Sequence, residues 1–342
     1  MKTNERGGGG RFRIDSRHEP ALLFFRVLLL ECTFLSTIHP VSFVKCVQVI
    51  CRRYLLDLHK HTNRNVIAYY SGFLTKPGIQ GIEINDEDKN GFMSCVHQMD
   101  REKGLDLLLH TGGSSAAAAE SLVHYLKQMF GSSIRAIVPQ IAMSAGTVLA
   151  CACKSILMGK HSSIGPVDPQ INGIPCVGVV EEVKKAFSEI IEDQRAALVW
   201  NPILGRLVPS FLQQCEWAIE SSKKFLKEAL ENGMLRDLPI ENRDVAVRRV
   251  TDRLTDLNYN KSHDRHIHCE ECAKIGLKVE MLEDPNESAL QDKVLTVHHC
   301  FMHALANTQA FKIIENHRGR SFIKLQQQQA SGGLNVQLPV GM

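Results

Sequence analysis

The sequence predicts an α/β fold, a layered parallel sheet with a helical C-terminal extension, and three observations predict it. Short aliphatic and β-branched runs alternate with helix-length stretches between 65 and 158, the pattern of parallel strands joined by crossovers. Two of the strand-to-helix turns are rich in Gly, Ser and Ala: Thr111-Gly112-Gly113-Ser114-Ser115 and Met143-Ser144-Ala145-Gly146-Thr147. From Val177 onward the apolar residues recur near helical spacing.

Taken in order, residues 1–20 are Gly- and charge-rich and predict disorder. Residues 21–50 are strongly apolar but carry Arg26, Glu31, His39, Pro40 and Lys45. A spanning helix needs roughly 20 apolar residues, and a charge at its centre costs about 2.5–3.5 kcal/mol. The longest charge-free stretch, Cys32 to Val44, is too short and holds Pro40. Arg11, Arg13 and Arg17 precede the apolar run as in a signal peptide, without a clean small-residue cleavage site after it. Two readings stand: a membrane anchor or signal, and an irregular appended segment.

Tyr54–Leu58 begins a helix, and Asn65–Tyr70 is the first strand, β-branched and aromatic. The polar run from Asn85 to Gly91 leads into an amphipathic helix near Phe92–Met99. Its carboxylates lack the closing glutamate of a calcium loop and read as a solvated helix start. Leu105–Leu109, Ala116–Met129, Ile134–Pro139, the short helix from Ala145, and Ser155–Met158 complete a β–α–β–α–β series. Val179–Ile191 and Pro209–Asn232 are helices, the second closed by Gly233, and 241–260 and 270–317 read as further helices. The tail from Gln326 is polar and of low complexity. The expected divisions are 1–50, an apolar extension; 51–235, the α/β core; 236–325, a helical region; and 326–342, a disordered tail.

Composition narrows the function. A formal charge of +3, from 40 basic and 37 acidic residues scattered along the chain, gives no footprint for nucleic acid. Eleven unevenly spaced cysteines, some within apolar runs, do not make a secreted disulfide framework. Buried thiols in a reducing compartment are the reading, and hence a cytoplasmic main domain with membrane association left to residues 21–50. The clusters His266, His268, Cys269, Cys272 and His298, His299, Cys300, His303 carry zinc-ligand types but lack a paired second knuckle, so no metal is expected. No GxGxxG follows a strand, and no cofactor is expected.

Both small-residue turns lie at the carboxyl ends of predicted parallel strands, where ligands bind in open α/β sheets. Small residues let backbone N–H groups approach developing negative charge. A serine hydroxyl on one turn and free amides on the other are the parts of acyl transfer with an oxyanion hole. For Ser144 alone, tight strand–helix packing explains a small residue equally well.

The His110-Thr111-Gly112-Gly113 run, Met143–Thr147 and the segment Gly159–Gln170 together resemble the Clp protease/crotonase superfamily. They are closest to the signal-peptide-peptidase-A-like serine peptidases and, within these, to the serine dehydrogenase proteinase family. Asn63–Gly72, Trp200-Asn201-Pro202, Lys261–Arg265, Gly276–Val279 and Ile313–Asn316 extend the likeness over roughly Arg52 to Lys324. The resemblance implies a Clp/crotonase-like fold, hydrolysis of a peptide or protein substrate, and a homo-oligomer. It implies Ser144 as nucleophile, with oxyanion amides from Ala145 and the Gly112, Gly113, Ser114 turn. That family usually has Thr-Pro-Gly-Gly-Asp at the first turn. Here Gly112 replaces the proline and Ser114 the second glycine, and a serine resists the positive φ that glycine permits.

A serine needs a base. The histidine that follows the nucleophile in Clp proteases is absent from Ile164-Gly165-Pro166, so the resemblance points to a Ser–Lys dyad. Lys184 and Lys185 stand 40 and 41 positions after Ser144, with Lys185 the first choice, and Lys160, His161 and His263 behind them. The alternatives are a catalytically impaired scaffold of the same fold and an acyl-CoA enzyme.

Overall fold

The computed structural model describes residues 40–326. The Gly-rich start, the apolar stretch through residue 39 and the Gln-rich tail from 327 lie outside the described residues, with the readings made of them. The chain divides into two compact units, 1–50 and 51–342. In chain order the elements are α1 (Pro40–Thr62), β1 (Asn65–Ser71), α2 (Asp88–Val96), β2 (Leu105–His110), α3 (Ala116–Phe130), β3 (Ile134–Val138) and β4 (Ile141–Ala142). Then follow α4 (Ala145–Cys151), β5 (Ser155–Met158), β6 (Ser163–Ile164), β7 (Gln170–Ile171), β8 (Ile174–Pro175), α5 (Cys176–Glu192), α6 (Ala197–Leu204) and α7 (Phe211–Asn232). The chain continues through α8 (Ile240–Thr255), α9 (Leu257–Asn260), β9 (Ile267–His268), α10 (Cys269–Ile275), β10 (Val279–Met281), α11 (Ser288–Asn307), β11 (Ala310–Asn316) and β12 (Ser321–Leu325).

The central sheet has the order β10-β5-β3-β2-β1-β11-β12. β10, β5, β3, β2 and β1 run parallel, whereas β11 pairs antiparallel with β1, and β12 with β11. The sheet is therefore mostly parallel, and both of its faces are covered: every residue of β1, β2, β5 and β11 is buried. Alternation sends Tyr69 and Tyr70 to opposite faces. Tyr69 stacks on Phe92 of α2 at 5.8 Å between ring centroids, and Tyr70 stacks on Phe301 of α11 at 4.7 Å. These two helices thus cover opposite sides of β1.

Local sequence explains the boundaries near the site. Pro40 opens α1, where its missing N–H costs nothing, and His59, Lys60 and His61 sit in its last turn against the negative end of the helix. Ser115 caps α3 by accepting a hydrogen bond from the Ala118 amide at 3.2 Å. A second, three-stranded sheet of order β4-β6-β9 lies beside the Ser144 turn, with β4 parallel and β9 antiparallel to β6. Among the described residues, no helix is long and apolar enough to cross a membrane.

The main departure from expectation falls in 270–317, read as helical. That span contains β10 and β11 as well as α10 and α11, and β12 follows it. Lys312 and Glu315 break the apolar alternation of β11 and imitate the polar face of a helix. Both are buried because each has a partner: Lys312 Nζ lies 2.8 Å from Asp88 Oδ1, and Arg52 Nε lies 2.7 Å from Glu315 Oε1. Tyr69 donates to the same Asp88 carboxylate at 2.8 Å. The Lys312 and Asp88 side chains are at most 1% exposed, so each charge depends on the other. Asp88→Ala, by stranding Lys312, is expected to cost about 3–5 kcal/mol in urea unfolding. The double variant Asp88→Leu/Lys312→Met should recover most of that loss, and a double variant no better than the single would contradict the pairing.

Candidate active site

Ser144 joins β4 to α4 with φ 52 and ψ −118, a conformation that costs a non-glycine residue roughly 1–3 kcal/mol. The bonds around it hold it there. The Gly146 amide donates to Met143 O at 2.8 Å, and the Thr147 amide to Ser144 O at 2.9 Å. Thr147 Oγ1 accepts from the Gly165 amide at 3.0 Å and sits 2.9 Å from Ala142 O and 3.0 Å from Gly165 O, sharing its proton between the two carbonyls. One buried hydroxyl therefore ties α4 to β4 and to the end of β6. The Ser144 side chain is half-buried and makes no capping bond to its own helix. Among the described residues, nothing bonds its hydroxyl.

The first turn packs directly on the second. Thr111 forms a bridge to Ala142, its amide donating to Ile141 O at 3.2 Å and its carbonyl accepting from the Met143 amide at 3.0 Å. Gly113, with φ 92, comes so near that a Cβ there would lie 2.7 Å from Ser144 Cβ and 2.6 Å from Met143 O. Only glycine fits this contact. Ile84 fixes the turn from its other side, donating to Gly113 O at 3.0 Å and accepting from the Ser115 amide at 3.3 Å.

The amides of the two turns divide into used and free. Gly113 N–H is spent inside its own turn, donating to Thr111 Oγ1 at 3.1 Å. Ser114 follows with φ 124 on an exposed stretch, and Ala145 is the first residue of α4, where no intrahelical acceptor exists. Neither the Ser114 nor the Ala145 amide has an acceptor among the described residues. The serine at 114 does adopt the positive φ it was expected to resist, pinned by the Ile84 bonds on either side. Gly112 is exposed, and a Cβ on it would stand 3.1 Å from the Phe73 ring.

An acid–imidazole pair, its carboxylate buried, joins the segment after β6 to the turn before β9. In the small sheet Ala142 is level with Ile164, and Ile164 with Ile267. Asp168 follows β6 by four residues, and His263 precedes β9 by four. His263 Nδ1 is 2.9 Å from Asp168 Oδ1. The Asp168 side chain is 1% exposed and its Oδ2 lacks a partner, while His263 is 21% exposed. The hydrogen bond to Asp168 raises the His263 pKa above the ordinary imidazole value, with burial pulling against it.

The family model for ClpP-like SDH-type serine proteinases matches residues 17–289. The chain belongs to this family. Its similar relatives include two uncharacterized proteins of Methanocaldococcus jannaschii. MJ0137 is 29% identical over 163 residues, which is 46% of this chain and 56% of the relative. MJ1495 is 29% identical over 169 residues, 48% of this chain and 57% of the relative. The chain thus spans little more than half the length of the curated relatives it matches. No solved structure matches. The family is one of serine proteinases.

The structure brings together Ser144, Ala145, Gly112, Gly113 and Ser114 but not the two lysines. Lys184 and Lys185 are both exposed on α5, and Lys185 lies 3.8 Å from Glu189 one turn along the same helix. Among the described residues, no bond or ion pair links either one to Ser144. A lysine serves as a base when it is desolvated, whereas both of these are exposed on the helix face. His161 Nε2 is 2.8 Å from Pro139 O, and its Nδ1 3.8 Å from Glu283. Among the described residues, no cluster of three or more His, Cys, Asp or Glu is arranged to hold a metal ion.

Sequence reasoning left Asp168 without a role. It lies in the Pro166–Gln170 stretch matched to the family, and its partner sits about 95 residues further on, beyond the reach of spacing arguments. His110, buried at the end of β2, was also not singled out. It is held by Ser71 O and Gln140 Oε1, each at 3.1 Å, and burial lowers its pKa to about 4. The imidazole immediately precedes the first turn and stacks on Tyr70 at 5.4 Å between ring centroids.

Because Asp168 raises the folded-state pKa of His263, the pair stabilises the fold fully below about pH 6.5, the unfolded histidine value. That contribution is lost as the pH rises through the higher folded value. In an NMR titration His263 should titrate above about 6.5, and Asp168→Asn should lower it. The stability advantage of wild type over the variant should shrink with rising pH. A His263 titration insensitive to Asp168→Asn would contradict the pairing.

Proposed function

We propose that this chain is a peptide-bond hydrolase in which Ser144 Oγ attacks the scissile carbonyl and His263 accepts the serine proton, directly or through one water. Asp168 accepts the Nδ1 proton of His263, which fixes the tautomer and leaves the Nε2 lone pair as the base. The negative charge formed on the carbonyl oxygen is received by the amides of Ala145 and Ser114. Imidazolium His263 then returns its proton to the leaving amine. Water, activated by the same imidazole, hydrolyses the acyl-enzyme.

The observation that carries this reading is the strained backbone of Ser144. A residue chosen only for tight packing has no reason to be held at φ 52 by a threonine and a glycine contact, with its hydroxyl left unbonded. The His263–Asp168 bond supports the histidine as base over Lys184 and Lys185, since the imidazole is partly desolvated and has an orienting carboxylate. Ser114 in place of glycine leaves the second oxyanion donor intact, because serine retains its amide.

Hydrolysis of a fluorogenic peptide library by the purified chain tests the assignment. Ser144→Ala is expected to reduce kcat to background, and His263→Ala to reduce it about 10²–10⁴-fold. Lys184→Ala and Lys185→Ala should stay within a few-fold of wild type. With a histidine base, kcat/KM should rise with pH through an apparent pKa above about 6.5. Asp168→Asn should move that limb to lower pH while lowering the plateau, because the imidazolium loses its carboxylate. A dead Lys185→Ala beside an active His263→Ala would restore the Ser–Lys dyad.

A further inference from the structure

Nine described cysteines are free and buried. Several are tied to backbone carbonyls: Cys153 to Leu149 O at 3.3 Å, Cys272 to Ile267 O at 3.6 Å, and Cys95 to Arg320 O at 3.4 Å. Cys51 and Cys300 differ. Their sulfurs face each other at 2.9 Å across two helices, α1 and α11, that are 249 residues apart in sequence. Both are nearly inaccessible, 1% and 2% exposed. A disulfide needs about 2.05 Å between sulfurs, so sub-ångström movement of each side chain would close the bond. No other group of the proposed site uses either thiol.

We propose that Cys51 and Cys300 are a redox site that closes to a disulfide, clasping α1 to α11. The co-reactant is a small-molecule disulfide such as oxidised glutathione. One protein thiol loses its proton to solvent, and its sulfur attacks a glutathione sulfur, expelling one glutathione thiolate. The second protein thiol, deprotonated in turn, attacks the protein sulfur of the mixed disulfide and expels the other glutathione. Two protein thiols are oxidised and one glutathione disulfide is reduced to two thiols.

The fold supplies the driving force by holding the two sulfurs together, and it also slows the exchange. The hydrogen bond to Cys300 and burial push the Cys51 pKa well above its ordinary value, so little thiolate forms until a helix edge opens. The bond would close a very long loop, the class of cross-link that most restricts the unfolded chain. Its position gives it a reach. α1 leads the chain into the core, and α11 carries Phe301 on Tyr70 and His298, whose Nδ1 lies 3.3 Å from the Tyr70 hydroxyl. His298 in turn lies against His110 at 5.7 Å between rings, directly before the first turn of the site.

The test is equilibration of the full chain, from the folded reduced state and by refolding, in a buffer of mixed reduced and oxidised glutathione. Remaining thiols are then trapped with iodoacetamide and tryptic peptides mapped. The expected product is a cross-link between peptide 46–52 and peptide 294–312. The first of these also carries Cys46, so Cys46→Ala must keep the link and Cys51→Ala or Cys300→Ala must abolish it. The oxidised chain should melt several degrees above the reduced one, and a reductant should reverse the rise in wild type but find nothing to reverse in Cys300→Ala. Recovery of Cys51 and Cys300 as alkylated thiols or as glutathione adducts from both starting points would overturn the proposal. So would a melting shift that persists in Cys51→Ala.

Discussion

The positive φ of Ser144 is the constraint on which the site depends. A serine between a strand and a helix could relax into extended backbone and cap α4 with its hydroxyl, as Ser115 does for α3 at 3.2 Å. Instead it stands at φ 52 with that bond unmade, at a cost of roughly 1–3 kcal/mol. Three features offset the cost. Thr111 bridges Ala142, Thr147 Oγ1 binds the ends of β4 and β6 together, and Gly113 presses on the Ser144 side chain. The result is a hydroxyl that makes no bond to its own helix, with unspent amides on the residue after it and on the facing turn.

Buried charge is handled by pairing throughout the molecule, and the pairs show what is different about the site. Lys312 and Asp88 satisfy each other, with Tyr69 completing the carboxylate. Asp106 in the sheet interior is held by Arg64 at 2.7 Å and by Arg135 at 2.8 Å. Asp168 has one imidazole on one oxygen and nothing on the other. A buried, half-satisfied carboxylate is costly, and in the proposed mechanism it serves to orient His263.

Much of this was legible in the sequence, for physical reasons that differ from element to element. The parallel strands announce themselves as apolar runs because both faces of the sheet are covered. The two turns are visible because close backbone approach demands Gly, Ser and Ala, and Ser144 follows from them. β11 was hidden because Lys312 and Glu315, buried with partners distant in sequence, give a strand the polarity pattern of a helix. Spacing along the chain points to Lys184 and Lys185, both of which the structure places on an exposed helix face. Whether an amine is desolvated depends on what packs over it, and among the described residues both of these amines are exposed. Asp168 and His263 meet only in the folded chain, across 95 residues of sequence, a pairing that no local pattern announces.

The most direct test of the central claim, that the strained serine is the nucleophile and an imidazole activates it, is to map the covalent adduct of a fluorophosphonate probe. Wild type and the Lys184→Ala/Lys185→Ala double variant should both carry one adduct, on the peptide containing Ser144, at similar rates. His263→Ala should label at least tenfold more slowly, and Ser144→Ala not at all. An adduct on another serine, or labelling at Ser144 that requires Lys184 or Lys185 but not His263, would contradict the account.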